Sequence, residues 1–325
     1  MERSIDVPGI TDLEAAIPPE ARPLLASDLQ RAIPAIAKDP RLAAAVESQV
    51  QQLASRHRLI RGDARDLSGL ADESVHLVVT SPPYWTLKEY RDDAAQLGHI
   101  EDYELFLDAL DEVWRHVLRV LVPGGRLVVV VGDVCLPRRR VGRHLVMPLH
   151  ASIQERCRLL GFDNLNPIIW HKIANAKLEV DGPGGFLGKP YEPNAVVKND
   201  IEFILFQRKP GGYRQPSIAE KVLSLIPEAQ HRQWFQQIWT LTGASTREHP
   251  APYPVELAER LVRMFSFVGD TVLDPFSGTA TTSLAALRCG RHSIGVEVIE
   301  EYYHSACDRL IAAAARLPAV EDLAS

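Results

Sequence analysis

The sequence of 325 residues contains few cysteines and no long apolar run. Its four cysteines lack Cys-x-x-Cys spacing, which excludes a common zinc-site pattern and favours reduced thiols, so we expect no metal ion and a cytoplasmic location. No apolar run approaches the length of a membrane span, and the first residues do not resemble a signal peptide. The sequence therefore predicts a cytoplasmic globular protein.

An excess of basic charge is also missing. Lysine and arginine number 36 against 42 aspartates and glutamates, which gives a formal net charge of −6. Any contact with nucleic acid must therefore come from local basic patches and not from the overall charge. Hydrophobic residues at 46% and charged residues at 24% are typical of a globular protein that buries one large α/β core or two small ones.

The most informative stretch is Thr-Ser-Pro-Pro-Tyr-Trp, which follows the apolar run Val75–Val79. The run predicts a buried strand that ends where the prolines cannot donate to a sheet ladder. Ser81 and the Pro82 carbonyl are hydrogen-bond acceptors, and Tyr84 and Trp85 add flat faces. Such a loop suits a planar group with an amino substituent, such as a nucleobase. The alternative is a proline-rich turn after a core strand.

A second motif spans residues 271–282 and reads Thr-Val-Leu-Asp-Pro-Phe-Ser-Gly-Thr-Ala-Thr-Thr. It predicts a short strand, a turn in which Gly278 allows close approach of a ligand, and a helix start. No Gly-Lys-Ser/Thr follows, so a triphosphate-binding loop is not expected. The next strand ends at Glu297, about twenty residues after the glycine turn. An acidic residue at that separation in a βαβ unit reaches ribose hydroxyls. The pattern indicates an adenosine-containing cofactor, unless Asp274 only caps a helix and Glu297 only ends a strand.

These two motifs, with His-Pro-Ala-Pro-Tyr-Pro at residues 249–254, resemble those of the S-adenosylmethionine-dependent DNA amino-methyltransferases. The Ser-Pro-Pro-Tyr motif precedes the glycine motif, as in the circularly permuted beta group, and Ser81 resembles the cytosine-N4 type, whereas adenine-modifying relatives usually carry Asp. The resemblance covers about residues 56–313. One departure is that Ala280 replaces the second glycine of the family's Phe-x-Gly-x-Gly and narrows the turn by one methyl group.

The resemblance implies the residues of the site. The catalytic residues would be Ser81, Pro82, Pro83 and Tyr84. The residues that bind S-adenosyl-L-methionine would be Asp63, Asp274, Phe276, Ser277, Gly278, Thr279, Thr281, Glu297, His249 and Pro250. Asp63 would reach the adenine amine, although it could equally cap its own turn. A structural role is the better interpretation for His249, because the chemistry requires no general base there. No cysteine follows a proline, so the nucleophile of carbon-5 cytosine methylases is absent.

Strand-like and helix-like segments alternate along the chain, which predicts an α/β fold with a doubly wound, mostly parallel sheet. The resemblance implies the Rossmann-like, circularly permuted methyltransferase fold. The predicted divisions are a helical N-terminal extension (1–55), the catalytic half (56–209), a target-recognition insertion (210–248) and the cofactor-binding half (249–325). The extension includes a helix that starts at Pro40 with Asp39 as its cap.

The resemblance implies double-stranded DNA as partner and leaves a cognate restriction endonuclease and a homodimer open. Candidate DNA-binding residues are basic and are either clustered or placed in the loops 173–199 and 210–248: Arg138, Arg139, Arg140, Arg143, Lys189 and Arg214. The cluster could instead be merely solvated. Trp234 and Trp239 could belong to a small local core instead of contacting DNA. The recognition segment is short, so base choice could be shared with residues 173–199, a second subunit or a partner.

The predicted reaction is direct methyl transfer from S-adenosyl-L-methionine to the N4 amine of a cytosine flipped out of the duplex and stacked on Tyr84. An adenine-N6 methyltransferase would share every feature except the preference that Ser81 indicates. A protein of another class, a catalytically silent DNA-binding subunit that keeps the fold, is the third possibility. RNA or protein substrates are disfavoured by the order of the motifs.

Overall fold

The computed structural model describes residues 1–26, 28–85, 96–136, 138–172, 200–243 and 253–317. Their strands are β1 (Glu2–Val7), β2 (Ser55–Arg61), β3 (Val75–Thr80), β4 (Leu121–Val131), β5 (Val134–Leu136), β6 (Leu145–Met147), β7 (Asp163–Lys172), β8 (Ile201–Arg208), β9 (Ile238–Leu241), β10 (Thr271–Asp274) and β11 (His292–Glu297).

The helices are α1 (Arg22–Leu25), α2 (Leu29–Lys38), α3 (Pro40–Val50), α4 (Tyr103–Val120), α5 (Arg138–Val141), α6 (Leu149–Leu160), α7 (Ile218–Leu223), α8 (Glu228–Trp234), α9 (Val255–Phe265), α10 (Thr281–Arg288) and α11 (Glu300–Ala314). A 3-10 turn covers Leu97–His99. No helix in the described ranges is both long and apolar enough to cross a membrane.

One large sheet has the strand order β1-β2-β11-β10-β3-β4-β8-β7-β9. Strands β2, β11, β10, β3 and β4 are mutually parallel. Strand β8 is antiparallel to both of its neighbours, β1 is antiparallel to β2, and β9 is parallel to β7. The predicted doubly wound, mostly parallel sheet is therefore confirmed.

Helices cover both faces of the sheet, because the side chains of each strand alternate between two cores. In β3, Val78 packs with α4 and α6 on one face, whereas Leu77 and Val79 pack with α9 and α10 on the other. The same alternation continues along Leu127–Val131 of β4. The result is a three-layer α/β/α arrangement with the sheet in the middle.

The first 55 residues contain the predicted helices and also strand β1, which the sequence analysis did not predict. Strand β1 pairs with β2 from Glu2 opposite Ile60 to Val7 opposite Ser55, and it buries Ile5 and Val7. Helix α3 begins as predicted, since the Asp39 carboxylate accepts hydrogen bonds from the backbone N–H groups of Arg41 (2.8 Å) and Leu42 (3.4 Å). The extension therefore completes one edge of the sheet.

The winding of the sheet reverses between β10 and β3. From β10 the chain crosses through α10 to β11 on one side, and from β3 it crosses through α4 to β4 on the other side. Ligands of open α/β sheets bind at the carboxyl ends of the strands at such a switch point. The loops that follow β3 and β10 are the two motifs that the sequence analysis singled out, so the fold brings them together.

Candidate active site

A buried hydrogen-bond network around Asp274 joins the two motif loops. Asp274 ends β10, and its Oδ1 accepts from the Thr80 hydroxyl at 2.6 Å and from the Phe276 N–H at 3.1 Å. Its Oδ2 accepts from the hydroxyls of Thr282 (2.8 Å) and Tyr253 (3.1 Å). Burial raises the pKa of the Asp274 carboxyl, and these hydrogen bonds act in the opposite direction. The network fixes the end of β3 against the end of β10.

Asp274 is thus not placed as a cofactor contact, although the resemblance implied that role. Its side chain is 1% exposed and both carboxylate oxygens are occupied by donors of the protein. Burial of a charged group is tolerated where its hydrogen bonds are satisfied, as they are here. Asp274 therefore holds the ends of β3 and β10 in place without facing the cleft.

A cleft lies at the switch point, and six of the predicted site residues line it. They are Asp63, Ser81, Pro83, Phe276, Gly278 and Glu297. The other lining residues come from four segments: Gly62, Ala64, Gln96, Leu97, Pro275, Val296, Val298, Ile299 and Tyr302. The catalytic and cofactor motifs therefore share one cleft.

Glu297 lies at the buried end of this cleft, at the end of β11. One carboxylate oxygen accepts from the Gly278 N–H at 2.7 Å and the other from the Ile299 N–H at 2.9 Å. Burial raises the pKa of Glu297 to about 7, and the backbone donors only partly offset this effect. Each carboxylate oxygen has a second lone pair for a ligand hydroxyl, so the residue fits its predicted role.

Two residues of the turn that follows β10 have positive φ, but only one of them is a glycine. Gly278 has φ +50° and Ala280 has φ +64°, in the left-handed region that favours glycine. Ala280 therefore adopts, with a side chain, the conformation of the glycine that the resemblance led us to expect at this position. The Ser277 hydroxyl points toward β11 and not into the cleft, since a methyl group at Gly295 would lie 2.5 Å from Ser277 Oγ.

Thr279 and Thr281 are held by Arg309 of helix α11. Its Nη1 donates to the Thr279 carbonyl at 2.9 Å and to the Thr281 hydroxyl at 3.2 Å. Neither threonine lines the cleft. Together with Ser277, they stabilise the turn instead of lining the proposed cofactor site.

Asp63 caps its own turn, which is one of the two roles that the sequence left open. Its carboxylate accepts from the backbone N–H of Arg65 at 2.9 Å, which caps the turn, and it forms an ion pair with the Arg65 guanidinium at 2.6 Å. Asp63 also lines the cleft. The turn cap therefore holds a carboxylate at the mouth of the cleft.

The loop of residues 81–85, which holds the predicted catalytic residues and is here called the catalytic loop, is fixed by hydrogen bonds near both of its ends. The Ser81 hydroxyl donates to the Tyr84 hydroxyl at 3.4 Å, and Tyr84 is 8% exposed. Trp85, at φ +47°, is equally buried, and its indole N–H donates to the Ile100 carbonyl at 2.9 Å. Trp85 also packs edge-on against Tyr103, with 5.1 Å between the ring centroids. Trp85 thus anchors the loop, and Tyr84, buried in the same core cluster, lies beside Ser81.

The predicted DNA-binding residues lie in different parts of the molecule. Arg138, Arg139 and Arg140 begin α5, which sits between β5 and β6 in a two-stranded arm beyond the carboxyl end of β4. Arg139 and Arg143 are exposed there. This arm extends from the same edge of the sheet as the cleft.

Arg214 lies near the amino ends of the parallel strands, opposite to the cleft. It forms ion pairs with Asp270, directly before β10, and with Glu220 of α7. Both partners are carboxylates of the protein, so its charge is already neutralised away from the cleft. We therefore leave Arg214 out of the proposed DNA-binding residues. Lys189, His249 and Pro250 lie outside the described residues.

The described part of the insertion predicted for target recognition is mostly exposed or half-buried, but it places two tryptophans in the core. Trp234 and Trp239 are buried against α9, which agrees with the alternative interpretation of these aromatics. Strand β9 of the same segment adds to the sheet beside β7. The described part of residues 210–243 therefore completes the second edge of the sheet.

Several functional positions were missed by the sequence analysis. Gln96, Leu97 and Tyr302 line the cleft but belong to no motif. Thr80 and Tyr253 hold Asp274, and both could have been noticed as hydroxyl-bearing residues inside or beside the quoted motifs. Tyr302 had a weaker signal, its place in the first turn of the helix that follows Glu297.

Comparison with known proteins agrees with this geometry. The family model described as "DNA methylase", which covers N6 and N4 enzymes, matches residues 75–308. The chain belongs to this DNA methylase family. The match begins at β3 and ends in α11, so it contains both motif loops and the cleft.

Two relatives of this DNA methylase match most of this chain and most of their own length. The type II methyltransferase M.MjaI of Methanocaldococcus jannaschii is 37% identical over 277 residues, which cover 76% of this chain and 88% of the relative. The "Putative DNA Modification Methylase" of Thermus thermophilus, crystallised with S-adenosyl-L-methionine, is 55% identical, with a TM-score of 0.66 over 79% of this chain and 93% of that one.

A more distant structure shares the fold. The PvuII DNA methyltransferase is 21% identical, with a TM-score of 0.56 over 80% of this chain and 92% of that one. The fold class, the methyltransferase activity and the use of S-adenosyl-L-methionine are thus confirmed for this family member. The family covers both N4-cytosine and N6-adenine enzymes.

Proposed function

We propose that this DNA methylase transfers a methyl group to the N4 amine of cytosine. The observation that carries the proposal is Ser81 at the head of the catalytic loop, beside Tyr84 and in one cleft with Glu297. A serine hydroxyl can accept an amine hydrogen while positive charge develops on the nitrogen, and the resemblance associates serine here with cytosine. The choice of cytosine over adenine rests on this residue alone.

The cleft fits S-adenosyl-L-methionine by the chemistry of its residues. Glu297 offers buried acceptor oxygens to a pair of ribose hydroxyls, and Asp63 offers an acceptor to the adenine amine. Phe276 and Leu97 supply apolar surface for the adenine ring. The predicted contacts of His249 and Pro250 with the methionine end remain predictions. When bound, the cofactor supplies an electrophilic methyl group on a sulfonium sulfur.

The residues of the catalytic loop prepare the amine for attack. Ser81 Oγ and the Pro82 carbonyl accept the two amine hydrogens, which favours a pyramidal nitrogen whose lone pair faces the methyl group. The N–CH3 bond forms while the S–CH3 bond breaks, and the sulfur keeps the bonding electron pair. The extra proton on nitrogen then leaves to solvent. Pro83 keeps the loop rigid, because its ring fixes φ.

The target base must leave the duplex to reach this cleft. Tyr84 would stack on the flipped base, and the arm with Arg138, Arg139, Arg140 and Arg143 would contact phosphates. We keep double-stranded DNA as the partner and a cognate restriction endonuclease and a homodimer as further predictions. The cytoplasmic location also stays a prediction.

The test is to incubate the protein with S-adenosyl-L-methionine and unmethylated DNA of mixed sequence, digest the DNA and identify modified nucleosides by mass spectrometry. N4-methylcytosine is the expected product. N6-methyladenine would keep the mechanism but contradict the argument from Ser81. Cofactor binding without any modified base, in a preparation whose fold is verified, would favour the silent DNA-binding subunit.

A further inference from the structure

Another ion pair lies at the carboxyl ends of the parallel strands, on two strands that carry neither motif. Lys172 ends β7 and Glu202 is the second residue of β8, and the Lys172 ammonium contacts Glu202 Oε1 directly. Their side chains are 20% and 11% exposed. Replacing a buried ion pair by apolar residues often stabilises a protein, so stability alone does not explain this pair.

Gly132 brings this pair next to the catalytic loop. A methyl group at Gly132 would lie 3.2 Å from Glu202 Cγ and 3.4 Å from Tyr84 Cε2. The carboxylate stem and the tyrosine ring therefore flank the same α-carbon. Contacts of this length mean that a side chain at residue 132 would press on the Glu202 stem, so the glycine allows this close approach.

The Lys172 ammonium is held on two sides. Its Nζ lies 4.6 Å from the centroid of the Trp170 ring, and Trp170 is itself fixed by its indole N–H, which donates to the Leu241 carbonyl at 2.9 Å. An ammonium has three N–H donors, and the bond to Glu202 Oε1 uses one. The Glu202 stem lies beside Gly132, as the Tyr84 ring does, and the ion pair leaves Lys172 with N–H donors that Glu202 does not use.

A flipped base that stacks on Tyr84 requires a hydrogen-bond donor for its ring nitrogen. In the duplex, the ring nitrogen next to the exocyclic amine accepts a hydrogen bond from the paired base, and it loses that partner on flipping. Ser81 and the Pro82 carbonyl serve the amine hydrogens, and the Ser81 O–H is directed at the Tyr84 hydroxyl, so neither supplies a donor to the ring nitrogen. A buried acceptor without a donor costs free energy, so the pocket requires a donor at this point.

We propose that Lys172 donates this hydrogen bond to the ring acceptor, N3 of cytosine, and that Glu202 positions Lys172. The inference rests on the proposed function, since it requires a flipped base on Tyr84. The role would be the same for N1 of adenine, so it holds for either base.

The test combines a protein variant with an altered substrate. Synthetic duplexes would carry the methylation site mapped on natural DNA, with cytosine or 3-deazacytosine as the target, or the adenine pair with 1-deazaadenine if adenine is modified. Wild-type protein on the deaza duplex and Lys172→Met on the normal duplex should each lose about 10- to 100-fold in kcat/KM, the range for one charge-assisted hydrogen bond. Lys172→Met on the deaza duplex should lose little more than either.

Additive losses in this cycle would overturn the inference, because they would mean that Lys172 and the ring nitrogen do not contact each other. A salt dependence of DNA binding that weakens in Lys172→Met would also overturn it, since that would indicate a phosphate contact. Failure of wild-type protein to methylate any DNA would overturn the proposed function and this inference with it.

Three further measurements separate the proposed contact from loss of folding. Cofactor affinity should stay within about twofold in Lys172→Met, because the cleft at Glu297 is not altered. Lys172→Arg keeps the charge and should recover part of the rate. Lys38→Met, on the exposed face of α2, is the matched control and should behave as wild type.

Discussion

Burial shifts the pKa of ionisable groups in opposite directions at the two ends of the parallel strands, here called the carboxyl edge and the amino edge of the sheet. At the carboxyl edge, the Glu297 carboxylate faces a cleft and burial raises its pKa to about 7. At the amino edge, His57, His76 and His292 lie near the starts of β2, β3 and β11, and burial lowers the pKa of each. Burial disfavours the charged form in both places, and at the carboxyl edge the buried carboxylate lines the cleft that the two motifs share.

At the amino edge, His57 and His76 have hydrogen-bond partners within the protein. His57 is fully buried between the hydroxyls of Ser55 (2.9 Å) and Ser293 (2.8 Å). His76 Nδ1 accepts from the Thr271 N–H at 3.1 Å, which requires that nitrogen to be unprotonated. Neutral imidazoles thus join neighbouring strands here. The comparison teaches that the same sheet uses burial for stability at one edge and for ligand binding at the other.

The largest effect is expected where the carboxyl edge is braced. Asp274→Ala would remove the acceptor for the Thr80, Thr282 and Tyr253 hydroxyls and should lower the free energy of unfolding by about 4 kcal/mol, since several buried donors lose their partner. Chemical denaturation would measure this loss. Tyr253→Phe removes one donor only and should cost about 1 kcal/mol. Equal losses in the two variants would contradict the bracing role.

Next in size is the effect of the catalytic hydroxyl. Ser81→Ala should lower kcat by about 100- to 1,000-fold, because it removes an acceptor that the transition state requires, while cofactor affinity stays unchanged. Methyl transfer from labelled cofactor measures the rate, and calorimetry measures the affinity. A near-normal rate in this variant would remove Ser81 from the catalytic residues.

At the amino edge the expected effect is on stability and depends on pH. Burial lowers the pKa of His57 to about 4, so below pH 6.5 the unfolded chain binds a proton that the folded protein excludes. Stability should therefore fall as pH falls from 6.5 towards 4, by about 2 kcal/mol from His57 between pH 7 and pH 5. His57→Gln has no such proton, and a slope identical to that of the wild type would contradict this assignment.

The smallest effect concerns cofactor affinity at the carboxyl edge. Glu297 has a pKa of about 7 and must be ionised to accept from both ribose hydroxyls, so affinity should weaken about tenfold from pH 8 to pH 6. The α-amino group of the cofactor also titrates near this range, so Glu297→Gln is the reference. The variant should bind more weakly and show a flatter profile. Parallel profiles would assign the pH dependence to the cofactor alone.

The sequence predicted the parts of the site that are local in the chain. Glu297 and Gly278 follow from one strand–turn–helix–strand unit, and Ser81 follows from a strand that ends in two prolines. Their meeting in one cleft follows from the switch point, which the alternating pattern of strands and helices indicates. These predictions needed no knowledge of distant contacts.

Other features depend on packing between distant segments. Asp274 has the position of a ligand residue in its motif, but hydroxyls from 194 and 21 residues away occupy it. Arg214 lies in a segment predicted to contact DNA, yet the fold pairs it with Asp270 at the other edge. Strand β1 has few apolar residues, and its pairing with β2 provides the stabilisation that its own pattern does not indicate.

The order of strands in the sheet has a consequence for the growing chain. Strands β10 and β11 are synthesised last, but they lie between β2 and β3, which are synthesised early. Until residues 271–297 leave the ribosome, β2 and β3 have no partner on their facing sides, and unpaired edges of this kind promote aggregation. A chain that stops before Thr271 therefore lacks the middle of its sheet, so residues 271–297 must be translated before the folded methyltransferase can form.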